Sequence, residues 1–217
     1  MDIQTAITFC LEMIGTVAFA ASGAMVGAGC SMDIFGVCVL GVVTAVGGGM
    51  IRDIVLGILP PTVFLNPKYA LAAVITSCLV FFAYYMKKME PGQHSSQAFE
   101  RILLIMDSIG LGIFTVMGVN TGIRQGYGSN VFLLVFVGTI TGVGGGLLRD
   151  MMAGVPPYIF VKHIYACASI VGAIVCVYMY RSFGTVAAMV GASAVVILIR
   201  YLAAHYRWNL PRLKREE

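Results

Sequence analysis

The chain has 217 residues, of which 59% are hydrophobic and only 11% charged, and its mean hydropathy is +0.91. A water-soluble domain carries about 25% charged residues, so this composition excludes a soluble enzyme and a disordered chain and calls for lipid as solvent. The net charge of +4 is spread over loops and tail and forms no single patch, which argues against a nucleic-acid partner. The six cysteines (Cys10, Cys30, Cys38, Cys78, Cys167 and Cys176) lie in apolar stretches with neither C-x-x-C nor zinc spacing, so packing is their expected role and no metal is expected.

In chain order, seven stretches are long and apolar enough to span a bilayer: about 7–27, 34–59, 68–86, 102–122, 131–155, 161–180 and 183–204. The N-terminus has no basic n-region and no small-residue cleavage site, so the first stretch is expected to stay in the mature protein. Turn signals separate the spans: Gly29 to Asp33, Pro60-Pro61 to Pro67, the polar segment from Lys87 to Glu100, and Arg124 to Asn130. With the C-terminus inside, nine lysines and arginines fall in inner segments and three, Lys68, Arg124 and Arg181, in outer ones. That bias predicts an outside N-terminus and a cytoplasmic C-terminus in a cell membrane. Tyr201, Tyr206 and Trp208 suit the aromatic belt at the inner end of the last span.

The chain also repeats itself. Gly41–Gly57 (GVVTAVGGGMIRDIVLG) and Gly138–Gly154 (GTITGVGGGLLRDMMAG) are identical at nine of seventeen positions, and both run on into a double proline. Phe64 and Tyr69 then match Phe160 and Tyr165 after a one-residue gap, and upstream EMIGTVAFAASG from Glu12 aligns with DSIGLGIFTVMG from Asp107. Each unit holds three spans, and an odd number predicts that the second enters the membrane from the opposite side. The expectation is an all-α membrane protein forming one transmembrane domain over 1–217. It comprises an inverted pair of repeats at about 7–86 and 102–180, a closing seventh helix at about 183–204 and a cytoplasmic tail at 205–217.

Gly47, Gly48 and Gly49, and likewise Gly144, Gly145 and Gly146, begin thirteen residues into their spans, about 20 Å along a helix and well inside the hydrocarbon. Glycine costs a helix about 1 kcal/mol each relative to alanine. The expectation is a broken helix at both places, with freed carbonyls able to coordinate a cation; close packing of helices through small residues is the other reading. Arg52-Asp53 and Arg149-Asp150 follow the glycines, and Glu12 and Asp107 open the first span of each repeat. Charges at such depth are costly and face an interior or water. Neighbours on a helix diverge by about 100°, so each arginine is free to reach an acid on another helix, Glu12 or Asp107. Two positives against four negatives favour a cation or a zwitterion over chloride. An ion-pair lock between the repeats is the structural alternative.

His94, His163 and His205 fall in loops or at membrane edges, and no P-loop, G-x-S-x-G, H-E-x-x-H or dinucleotide fingerprint occurs, so neither an enzyme nor a cofactor is expected. The paired G-G-G-x-x-R-D motifs, each running to a double proline, resemble a bacterial membrane family with two "glycine transporter" domains, related in fold to the trimeric intracellular cation (TRIC) channels. The resemblance covers both three-span units and the seventh helix. It implies a homotrimer with a pore in each protomer, broken second and fifth helices, and conduction of monovalent cations, mainly potassium. The domain name implies a different activity, transport of glycine or another small amino acid. Glycine's carboxylate would suit a helix N-terminus or an arginine, and its ammonium an aspartate.

Overall fold

The computed structural model describes residues 3–86, 97–161 and 164–208. The histidines His94 and His163, and the basic residues Lys87, Lys88, Lys162, Arg212, Lys214 and Arg215 that contribute to the charge bias, lie outside them. Seven helices among the described residues are long and apolar enough to cross a membrane. They are α1 (Ile3–Gly29), α2 (Ile34–Val55), α4 (Lys68–Met86), α5 (Gln97–Gly122), α6 (Val131–Met152), α8 (Tyr165–Phe183) and α9 (Thr185–His205). Two four-residue helices, α3 (Thr62–Leu65) and α7 (Tyr158–Val161), follow the double prolines, and a π-helical turn, Ile123–Tyr127, prolongs α5.

The duplication of the sequence is visible in the packing. A Cβ on Gly23 of α1 would strike Leu40 and Gly41 of α2, and one on Gly118 of α5 would strike Val137 and Gly138 of α6, so equivalent small residues seat equivalent helix pairs. In lipid no hydrophobic gain drives helices together, and close backbone contact through small residues takes its place. α2 and α6 cross at the centre and join the two units.

Here the sequence-based expectation of broken helices is corrected. α2 and α6 run without interruption through Gly47–Gly49 and Gly144–Gly146, and neither contains a non-helical residue. The middle glycines explain why. A Cβ on Gly48 would land on the carbonyl oxygen of Thr141, and one on Gly145 on the carbonyl oxygen of Thr44. Each glycine therefore lets the other helix's backbone come to its surface. Unwinding would leave backbone groups unsatisfied in hydrocarbon at several kcal/mol each, which outweighs about 1 kcal/mol per glycine in helix propensity. The spans also end earlier than their hydropathy suggests. α2 stops at Val55 and α6 at Met152, where Leu56 and Ala153 cap them and the chain turns toward α3 and α7.

α9 breaks the symmetry. It packs on α5 and α8 of the second unit, with Ser193 against Gly112 and Val196 against Gly172. The first unit has no such cover: 11% of the apolar window of α4 is buried, against 33% for its counterpart α8.

Candidate functional site

In both units the Arg-Asp pair ties the end of a long helix to the short helix that follows. Arg52 donates from Nε and Nη2 to Asp53 Oδ1, at 2.8 and 2.7 Å, and the backbone N–H of Thr62 donates to Asp53 Oδ2 at 2.8 Å. Arg149 donates from Nε to Asp150 Oδ1 at 2.8 Å, and the N–H of Tyr158 donates to Asp150 Oδ2 at 2.8 Å. The double proline sets the bend, and the aspartate accepts from an N–H at the start of α3 or α7. Each arginine thus does bind its own neighbouring aspartate. The long arginine side chain thus spans the roughly 100° between adjacent positions on a helix.

Beyond this shared joint the units differ. Arg149 has no exposed surface, and its Nη1 also donates to Asp107 Oδ1 of α5 at 2.6 Å and to the hydroxyl of Ser22 of α1. Its ion pairs both stay within the second repeat, and only the Ser22 hydroxyl comes from the first, so the link between repeats is a hydrogen bond and not the ion-pair lock anticipated from the charges. Arg52 makes no equivalent reach: Glu12, at the place of Asp107, instead accepts from the Tyr69 hydroxyl of α4. The expectation of an acid partner on another helix holds for Arg149 and not for Arg52.

Glu12, Asp53, Tyr69, Thr16 and Gly49 line a cavity of about 60 Å³ that is closed on one side by Thr62 of α3 and on another by Phe114 of α5. Gly49 leaves room here, since a Cβ on it would meet nothing nearer than Arg52 Nη2 at 3.7 Å. Gly146, its counterpart, is crowded, with the Tyr165 hydroxyl 2.9 Å from a Cβ built there. Of the residues singled out in the sequence, Glu12, Gly49 and Asp53 meet at the cavity, and Asp107, Gly146, Arg149 and Asp150 meet in the closed second unit. Gly47, Gly48, Gly144 and Gly145 serve the helix crossing, where Gly47 abuts Leu148 and Gly144 abuts the backbone of Gly48.

Four participants escaped the sequence reading. Tyr69 and Tyr165 carried a signal, since both match in the repeat. Ser22 carried none, because its counterpart in the second unit is Met117. Arg200 is one of the nine basic residues of the inner segments, although it interrupts an apolar run within the last span. In the fold it is 1% exposed, its Cζ lies 4.7 Å from the centre of the Tyr165 ring, and its Nε and Nη1 have no hydrogen-bond partner among the described residues.

Fold and site together define a polytopic helical membrane protein made of two matching three-span units and a seventh helix, with ionisable groups buried between the spans. The chain belongs to the family described as "Glycine transporter", whose pattern matches twice, over residues 9–85 and 104–181. It is 36% identical over 214 residues to the UPF0126 inner membrane protein YadS of Escherichia coli K12, covering 97% of this chain and 98% of that protein. Among solved structures it is similar to a TRIC trimeric intracellular cation channel orthologue from Rhodobacter sphaeroides, at 32% identity and TM-score 0.83 over 93% of this chain and 99% of that one. It is equally similar to a prokaryotic TRIC channel determined in 0.5 M KCl, at 32% identity and TM-score 0.85 over 95% and 100%. These relatives are membrane proteins and channels, in keeping with the expectation that the chain is not an enzyme.

Proposed function

We propose that this protein is a TRIC-like channel for monovalent cations, potassium foremost, working as a homotrimer with a pathway in each protomer. The likeness to two prokaryotic channels along nearly the whole chain supports the class. The observation that carries the reading to this chain's own residues is Glu12. It is a carboxylate beside a cavity within the spans, and no lysine or arginine pairs with it among the described residues. Arg52 and Arg124 act on it only from a distance, and a carboxylate with no bonded counter-charge in a weakly polar surrounding favours a mobile cation.

Three spans per unit place the second unit upside down relative to the first, inside a single membrane domain. The N-terminus then lies outside and the C-terminus in the cytoplasm, with Arg52 toward the outer side and Arg149 toward the inner. The pathway passes the first-unit cavity, while the ion-paired second unit serves as its fixed wall. Because the triple glycines are helical, carbonyl coordination at a helix break has no part in this scheme.

The family's description names glycine as cargo. A zwitterion would need a donor for its carboxylate as well as Glu12 for its ammonium. Arg52, the nearest candidate, is turned to Asp53 by two hydrogen bonds, which favours the bare cation. Purified protein in liposomes tests this. A current that reverses at the potassium equilibrium potential is the expected result; saturable glycine uptake without such a current would replace the channel by a transporter.

A further inference from the structure

The two units carry matching acids but differ in the guanidinium groups that bond or stack beside them. In the second, Asp107 and Asp150 are accompanied by two: Arg149, which bonds both, and Arg200 of α9, laid over the Tyr165 ring. In the first, Arg52 bonds Asp53, and Arg124 acts on Glu12 from a distance without a salt bridge. α9 packs mainly on the second unit, and no counterpart of Arg200 lies over Tyr69 among the described residues. What the first unit has instead is space. Glu12, Asp53, Gly49 and Tyr69, the counterparts of Asp107, Asp150, Gly146 and Tyr165, all line the cavity. Thr16 lines it too, where the second unit has the fully buried Leu111. Its volume of about 60 Å³ corresponds to roughly four to six water-sized positions, and a guanidinium has four heavy atoms.

We propose that this cavity binds a small organic cation of the guanidinium class, paired with Glu12 and lying against Tyr69 as Arg200 lies against Tyr165. The second unit supplies the precedent: with the matching acid and tyrosine, the protein's own chain places guanidinium groups. Such a cation is planar and weakly hydrated, so it enters a partly apolar pocket at lower cost than an ammonium, and an aromatic ring stabilises it further. The inference rests on the channel reading only for its effect on flux; binding stands apart from it. A bound guanidinium blocks the pathway that potassium would use.

The test is titration calorimetry of methylguanidinium chloride into the purified full chain in lipid nanodiscs at constant ionic strength, alongside potassium flux from liposomes. Saturable binding at one site per chain is expected. Glu12→Gln, which keeps the volume and removes the charge, should weaken it by about tenfold, the loss of one charge-assisted contact. Thr16→Leu, which keeps the charge and fills the space as Leu111 does, should abolish it. Methylguanidinium should slow potassium flux through the parent protein; Thr16→Leu, which fills the same pathway, should carry less flux to begin with and show no further slowing by methylguanidinium. Absence of saturable binding, or equal binding by the parent and both variants, would overturn the proposal. Binding without potassium current would leave the site standing and remove the channel; current without binding would do the reverse.

Discussion

Arg149 is wholly buried and holds Asp107, Asp150 and Ser22 at once, while Arg52 holds Asp53 alone and keeps a small exposed edge of 9%. Removing one partner of a buried pair costs about 3–5 kcal/mol, because the other charge is left without compensation. Arg149→Met should therefore destabilise the protein by that order, through Asp107 and Asp150, and Arg52→Met by clearly less. Thermal unfolding in detergent checks the ranking, and equal losses would show that the second unit's network adds nothing to the joint both units share. Asp53→Asn and Asp150→Asn bear on the same joint. Each weakens both an arginine contact and a short-helix cap, so both should lower the unfolding temperature whatever they do to ion flux.

At the scale of the helix, the three glycines of each motif do different work. Gly48 and Gly145 sit where α2 and α6 touch backbone to backbone, and a methyl there has nowhere to go because the obstacle is a carbonyl oxygen. Gly48→Ala or Gly145→Ala should cost about 1–3 kcal/mol, as overpacking does. Gly49→Ala projects into the cavity, meets only the end of Arg52, and gains about 1 kcal/mol in helix propensity. It should be neutral or mildly stabilising in the same melt, yet it narrows the cavity and should lower potassium flux. A Gly49→Ala protein as unstable as Gly48→Ala would mean that the third glycine also lies in the crossing.

At the scale of the whole molecule, the covering helix decides which half is closed. α9 seals the second unit and delivers Arg200 to it, leaving α4 of the first unit with most of its apolar surface outward toward lipid or neighbouring protomers. The proposed inversion of the units carries an expectation about topology. A reporter fused after Trp208 should show cytoplasmic activity, and one inserted between Tyr127 and Asn130 should show the opposite side. Both reporters on one side would contradict the inverted arrangement, since three spans (α6, α8 and α9) separate them.

The residue order by itself determined the seven spans, because twenty or so apolar residues in lipid have little alternative to a helix. It also displayed the duplication and the deep Arg-Asp motifs, and offered Glu12 and Asp107 as acids on another helix without saying which arginine would reach which, since charges this deep must find partners. Whether the glycines break or pack was not legible. The cost of three glycines is local and can be read from the chain, but the carbonyls of Thr44 and Thr141 that repay it belong to the facing helix and come close only in the folded bundle. Nor could the matching sequences of the two units announce their different fates. Glu12 faces a cavity and Asp107 faces Arg149 in a bundle whose seventh helix, present once, lies mainly against the second unit. Packing supplied much of that asymmetry, to which the repeats add their own differences, Thr16 against Leu111 and Ser22 against Met117.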